Sequence, residues 1–434
     1  MDPILRRLGL MLWISGAAAF LTSCGEGTGI LCGGTCGTNG PLPIGMNTHL
    51  RAVHMGGNWG TNVEGVHTLP PDYFEYLHDL NVNWVGISVA LHVQDSMDSA
   101  VERTYSGVEI PTFDDETLAQ TIRVFRQQGF NVYLTLAFED QNSKQAARPV
   151  QRWQLGDPNM PLEDTRLLAT FWPWSLSHPD HARFVDTFWD TYTQQAVHFG
   201  KIAEVEGIRL YSLGTETERL FRSRSGGYWP NDFGGHLRSM VRAVRAVYSG
   251  LLTYDMAYHA LTANEFYGPG SDHLWEDLDL DVVGISAYFP LTDAPPNAVS
   301  SVEDLELRWE QVFQDYLIPL QARNPNRPIL FLEFGYVDAV AAPYQANADE
   351  FTHRVFVDAN ENRLDDGEET QAHIYQAFLN TMDRHPGVLR GAFLWGEMMA
   401  SNEEWARTFA LLRGFSVRQK LAEEVVRMRY AKWR

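Results

Sequence analysis

Beyond Pro43 the chain alternates between two hydrophobic rhythms. Short, nearly continuous apolar runs recur along it, and between them lie segments whose apolar residues return every three or four positions. The first rhythm predicts strands buried on both faces, the second amphipathic helices. Strands are expected at Ala52–Met55, Trp84–Val89, Val132–Phe138, Ile208–Leu213, Leu251–Met256, Val282–Tyr288, Ile329–Glu333 and Gly391–Trp395. Several intervening segments carry helix signals. Asp114 can cap a helix with the stripe Leu118, Ile122 and Phe125, stopped at Gly129. Ser300 and Glu303 suit a capping box ahead of Leu305, Trp309, Val312 and Tyr316. A long helix is expected over Asp180–Glu206, with Phe184, Phe188, Tyr192 and Ala196 on one face, and another from Ser416 to the end. Eight strand–helix units predict an α/β fold, a closed (β/α)8 TIM barrel over residues 43–434 as a single domain. A doubly wound sheet would want a phosphate-binding glycine turn; Gly56-Gly57-Asn58-Trp59-Gly60 has the wrong spacing and no helix signal after it.

Two of the runs end alike. Ile208-Arg209-Leu210-Tyr211-Ser212-Leu213-Gly214-Thr215-Glu216 and Pro328-Ile329-Leu330-Phe331-Leu332-Glu333 each bring one glutamate to the C-terminal tip of a buried strand. That is the end of the barrel where catalytic groups gather. Cleavage of a glycosidic bond needs two such carboxyl groups, one protonated to donate to the leaving oxygen and one ionised. Retention of configuration calls for about 5–5.5 Å between them. A single strand-end glutamate is as readily a solvated or ion-paired residue; two at matched positions favour catalysis.

Composition narrows the partners. The 434 residues are 44% hydrophobic with 13 Trp, enough for one large domain, and the formal charge of −21 without basic runs argues against nucleic acid. Residues 1–23 stand apart: Arg6 and Arg7 precede an apolar run, Leu8–Leu21, too short for a membrane span. The sequence Leu21-Thr22-Ser23-Cys24 resembles a bacterial lipobox, which implies a lipidated Cys24 and an exported, membrane-anchored protein. An ordinary cleaved signal peptide is the other reading. Residues 24–42 read as a Gly-rich tether, within which Cys32 and Cys36 suit a small disulfide loop.

With these residues in barrel order, the chain resembles glycoside hydrolase clan A, and within it the β-mannanase-like glycoside hydrolase family 113, over most of residues 43–434. The resemblance implies that Glu216 is the acid/base and Glu333 the nucleophile. It implies that Tyr288 hydrogen-bonds the nucleophile and that Trp395 floors the sugar-cleavage subsite. The stretches Ile110-Pro111-Thr112-Phe113-Asp114-Asp115-Glu116-Thr117-Leu118 and Gly414-Phe415-Ser416-Val417-Arg418-Gln419-Lys420 are also similar to that family. Two positions depart from it. Thr215 stands where much of the clan has Asn, and Val132–Phe138 lacks the Lys and His that relatives carry near the end of strand three. The implied activity is retaining hydrolysis of a β-linked polysaccharide or oligosaccharide, with endo-β-1,4-mannanase action as the family's example. A non-catalytic glycan-binding surface lipoprotein remains the alternative.

Further candidates surround this pair. Asp255 closes strand five and suits a sugar hydroxyl or an ion pair, and His92 and Gln94 follow strand two. Trp59, Trp172 and Trp174 in loops suit the apolar faces of pyranose rings or plain loop packing. Glu218, Glu139 and Asp140 are lesser acidic candidates, and His178–His181 reads as a helix start. Asp358, Asn360, Asn362, Asp366 and Glu369 place oxygen ligands at the spacing of a calcium loop, although Arg363 occupies the position that takes Gly; a solvated acidic loop is the other reading. Such a calcium would be structural, and the carboxylate chemistry itself needs no cofactor. Neither a G-x-S-x-G elbow nor an H-E-x-x-H helix is present to support a serine or zinc hydrolase.

Overall fold

A computed structural model describes residues 49–55, 70–93, 98–103, 112, 114–138, 181–217, 234–262, 273–347, 367–409 and 414–434, all within the unit Pro41–Arg434. All eight apolar runs form strands of one closed barrel in the order β1 to β8. They are β1 (Leu50–Met55), β2 (Trp84–Leu91), β3 (Asn131–Phe138), β4 (Leu210–Thr215), β5 (Leu251–Ala257), β6 (Val283–Ser286), β7 (Ile329–Phe334) and β8 (Leu389–Glu397). Every neighbouring pair is parallel, and β8 closes the sheet against β1. The architecture is a (β/α)8 TIM barrel.

The outer ring includes α1 (Pro71–Asp79), α2 (Asp115–Gln127), α3 (His181–Val205), α4 (Gly234–Arg245), the short α5 (Leu274–Asp277), α6 (Val302–Val312), α7 (Gly367–Arg384) and α8 (Leu421–Lys432). Asp114 caps α2 by accepting the Thr117 N–H, and Leu118, Ile122 and Phe125 are buried. Gly129, just past that helix, takes φ +88°, the left-handed turn that glycine makes without a Cβ penalty. Two expected helix starts move. The cap of α6 is Ser301, not Ser300, and its hydroxyl accepts from the Asp304 N–H. The last helix begins at Leu421, not Ser416. Residues 414–420 are held instead in an irregular strap with a turn near its end: Lys420 Nζ bonds the Gly414 carbonyl and pairs with the buried Asp338 at 3.2 Å. Competing partners of this kind override a helical pattern.

The core has two layers. Ala52, Trp84, Tyr133, Leu210, Val282, Leu330, Leu332 and Phe393 fill the barrel interior. A larger cluster, including Tyr211, Leu213, Phe331, Phe334, Trp309 and Phe378, lies between sheet and helices. Toward the C-terminal ends of the strands the interior turns polar: Ser88, Thr135, Ser212, Thr253, Asp255 and Ser286 are all buried there. Thr135, Ser212, Thr253 and Ser286 bond to Thr215, to the backbone of Gly214 and Asp255, to the Val282 carbonyl and to Asp255, so most of this layer is a hydrogen-bonded floor.

Candidate active site

Glu333 sits on β7 and is almost wholly buried, with 2% of its surface exposed. Strand alternation alone would turn it away from the barrel axis. Leu330 and Leu332 belong to the interior cluster and Phe331 to the outer one, so period two puts residue 333 outside. The β7–β8 register shifts between Phe331 and Phe334, and Phe334 packs in the outer cluster against Phe378 and Tyr375. That break leaves Leu332 and Glu333 both inward. The Tyr288 hydroxyl, from just past β6, donates to Glu333 Oε2 at 2.9 Å. The Glu333 carbonyl accepts from the Ala287 N–H at 2.8 Å, so backbone and side chain are tied to the same neighbouring segment.

Glu216 stands one residue beyond β4 with φ +50°, a left-handed conformation that an L residue adopts at a cost of roughly 1–2 kcal/mol. Its side chain is only partly buried. The β4–β5 register shifts between Ser212 and Thr215, after which Glu216 N–H bonds the Asp255 carbonyl at 2.9 Å. Gly214 is required in that turn: a Cβ there would meet the hydroxyls of Tyr254 and Tyr192 from the outer layer. Tyr192 in turn donates to the Leu213 carbonyl, and Tyr254 bonds Thr217 just past the glutamate.

The other sequence candidates fall in several places. Trp395, near the tip of β8, is half-buried and lies over the imidazole of His54, with ring centroids 4.8 Å apart. Thr215 is buried, its hydroxyl bonded to that of Thr135 on the neighbouring strand β3 at 2.7 Å. Asp255 is also fully buried and accepts from the Ser286 hydroxyl at 3.1 Å, beneath the strand tips. His92 is buried just past β2, where its backbone bridges Glu102; burial lowers its imidazole to about 4, so it is neutral at pH 7. Glu369 lies in the first turn of α7 with its carboxylate 3.8 Å from His373 Nε2. Trp59, Gln94, Glu139, Asp140, Trp172, Trp174, Glu218, Asp358, Asn360, Asn362, Asp366 and Cys24 lie outside the described residues. Among the described residues there is no group of three His, Cys, Asp or Glu side chains placed to hold a metal ion, and no helix long and apolar enough to cross a membrane.

Sequence reasoning assigned no role to several residues that shape this end of the barrel. His54 supports Trp395, and Gly86 makes room for it: a Cβ at Gly86 would fall 2.5 Å from the His54 ring. Phe415, from the strap, packs against Tyr288, with centroids 5.7 Å apart, and fills the space left by Gly335 and Gly396. Glu397, at the end of β8, accepts from Ser416 at 3.0 Å and from Tyr76 at 3.4 Å, and burial pushes its carboxyl up to about 7. The signals were present but ambiguous: a lone polar residue in an apolar strand reads as either floor or site.

Two glutamates at the tips of β4 and β7, a tyrosine on one of them and a half-buried tryptophan on β8 define the class, a glycosidase-type (β/α)8 barrel. The profile of Glycoside Hydrolase Family 113 matches residues 171–408, more than half of the chain, and the chain belongs to that family. No curated protein sequence matches it. Among solved structures, the family 113 β-mannanase from Alicyclobacillus acidocaldarius in complex with ManMIm superposes with a TM-score of 0.60 at 17% identity, over 89% of this chain and 98% of that one. A complex of a family 113 β-1,4-mannanase gives 0.60 at 17%, over 88% and 99%. The endo-β-1,4-mannanase from Thermotoga petrophila gives 0.52 at 13%, over 90% and 77%. At such identities the superpositions establish the fold.

Proposed function

We propose that this chain is a retaining glycoside hydrolase that cleaves β-1,4-linked mannan, with Glu333 as nucleophile and Glu216 as acid/base. In the first step the Glu333 carboxylate attacks the anomeric carbon while the Glu216 carboxyl gives its proton to the departing glycosidic oxygen. In the second, the Glu216 carboxylate takes a proton from water, which attacks the same carbon and releases Glu333 as a carboxylate. No cofactor takes part in either step. The observation that carries the assignment of roles is the Tyr288 hydroxyl on Glu333 Oε2. A donor on a carboxylate favours the ionised form, which is the form that attacks. Trp395 offers a half-buried aromatic face for a pyranose ring. The mannan assignment rests on the mannanases to which the chain is similar in fold and on its family. The N-terminal sequence supports export and anchoring through a lipid on Cys24.

The test is release of reducing ends by residues 43–434 from β-mannan, glucomannan, β-glucan, xylan and galactan, beside Glu333→Gln and Glu216→Gln. Release from mannan that both variants lose is the expected result. Release only from another polymer would overturn the substrate, and release surviving Glu333→Gln would overturn the nucleophile. Binding without any release would replace the enzyme with a glycan-binding protein.

A further inference from the structure

We propose that Ser212 is a positioning residue for the acid/base Glu216, holding open the strand irregularity that aims it; this rests on the glycosidase reading above. The ladder between β4 and β5 runs in register through Leu210↔Leu251, Tyr211↔Leu252 and Ser212↔Thr253, and resumes at Thr215↔Asp255. Three residues of β4 therefore span what two residues of β5 span, the extra residue of a β-bulge. A bulge interrupts the ladder, and the groups left inside a dry barrel need other partners.

The Ser212 hydroxyl adds one such partner on each strand. It accepts the Asp255 N–H at 3.2 Å and donates to the Gly214 carbonyl at 2.8 Å, and Ser212 is completely buried. Above it, the Asp255 carbonyl takes the Glu216 N–H at 2.9 Å. The two backbone groups of Asp255 thus bracket the bulge, one held by the Ser212 side chain and the other holding Glu216 in its left-handed turn. Without the hydroxyl, the Asp255 N–H and the Gly214 carbonyl each lose a buried hydrogen bond. The strand can recover them by closing the bulge, and a one-residue slip turns every side chain beyond it to the other face. Glu216 would leave the cleft. Glu333, on β7, would not move.

The inference predicts a loss specific to proton transfer. Departure of a sugar hydroxyl needs the acid, whereas departure of a dinitrophenolate does not. The experiment compares kcat/KM of the wild type and Ser212→Ala on a manno-oligosaccharide and on a 2,4-dinitrophenyl β-mannoside. The ratio of the two values does not depend on how much of the protein is folded. We expect at least about a tenfold fall for the oligosaccharide relative to the dinitrophenyl substrate, less than the roughly 10²–10⁴-fold of a positioned acid because the variant displaces the carboxyl rather than removing it. Azide should also restore turnover of the dinitrophenyl substrate, attacking the anomeric carbon as an anion and leaving glycosyl azide and the Glu333 carboxylate, with no proton to remove. Ser212→Thr, which keeps the hydroxyl, should restore the wild-type ratio. Equal loss on both substrates without azide rescue, or no loss at all, would overturn the proposal. Should Ser212→Ala not fold, Ser212→Cys, with a weaker donor and acceptor, carries the same ratio test. A wild type inactive on both substrates would instead overturn the glycosidase reading.

Discussion

The tips of β4 and β7 each carry one glutamate, and the barrel treats the two differently. Glu333 is buried, lies within its strand and receives a phenolic proton donor. Glu216 is partly exposed, lies one residue beyond its strand and sits in a left-handed turn. Both depend on a break in strand alternation, since a regular ladder would have put Glu333 on the helix side and left Glu216 without its turn. The supports differ as well. On β7 the support is a side chain aimed at the carboxylate; on β4 it is a set of hydroxyls aimed at the backbone below. The contrast fits the two roles proposed for them. A nucleophile must stay ionised and in place, whereas an acid/base must meet first a leaving oxygen and then a water from solvent.

The largest test of this contrast is to neutralise each glutamate separately. Glu333→Gln should lower kcat for every substrate by about 10⁴-fold or more, as loss of a nucleophile does. Glu216→Gln should do comparable harm only where the leaving group is poor, and azide should rescue it on a dinitrophenyl glycoside. If the two variants show the same dependence on leaving group, the distinction between the tips fails.

A third carboxylate sharpens the comparison by standing outside it. Glu397 ends β8, held by Ser416 and Tyr76 among the aromatic rings around Arg418. Burial raises its carboxyl to about 7, against the ordinary 4.5. The folded state therefore holds more protons than the unfolded one between these values, and stability falls as pH rises from 4.5 to 7. The accumulated cost above pH 7 is about 3 kcal/mol. Glu397→Gln should unfold at a higher temperature than the wild type at pH 8 and show little difference at pH 4.5. His92 acts in the opposite direction: with its imidazole lowered to about 4, it costs stability as pH falls below 6.5. The variant-minus-wild-type difference isolates Glu397, and an unchanged difference between pH 4.5 and 8 would show that its carboxyl is not raised in the folded state.

The smallest effect belongs to the hydroxyl that distinguishes the two tips. A hydrogen bond to a charged group contributes about 1.5–3 kcal/mol, so Tyr288→Phe should lower kcat/KM by roughly 10- to 100-fold. It should do so on good and poor leaving groups alike, because it acts through the nucleophile. A loss confined to poor leaving groups would place Tyr288 with Glu216 instead.

The elements whose burial depends on local pattern were legible in the sequence. All eight strands lie where continuous apolar runs predicted them, because a parallel strand covered on both faces must be apolar throughout. The cap at Asp114 and the stop at Gly129 were legible for the same local reason. The start of the last helix was not. The Ser416–Lys420 pattern permits a helix, but Glu397, Asp338 and Asn402, distant in sequence, take its side chains as partners. Of the site, the glutamates, Tyr288 and Trp395 could be placed at strand tips from their order along the chain. The support under them could not: Ser212, Thr135 and His54 read in sequence as lone polar residues inside apolar strands.

The sequence by itself determined the barrel, its strand order and the rim on which the two glutamates stand, because hydrophobic periodicity and chain connectivity are local properties. Only the tertiary structure decided which way the glutamates face. That depends on register breaks in the ladders of β4 and β7, on the Tyr288 hydroxyl that holds the Glu333 carboxylate and on the Ser212 hydroxyl beside the β4 break, and register is a relation between strands that no single strand encodes.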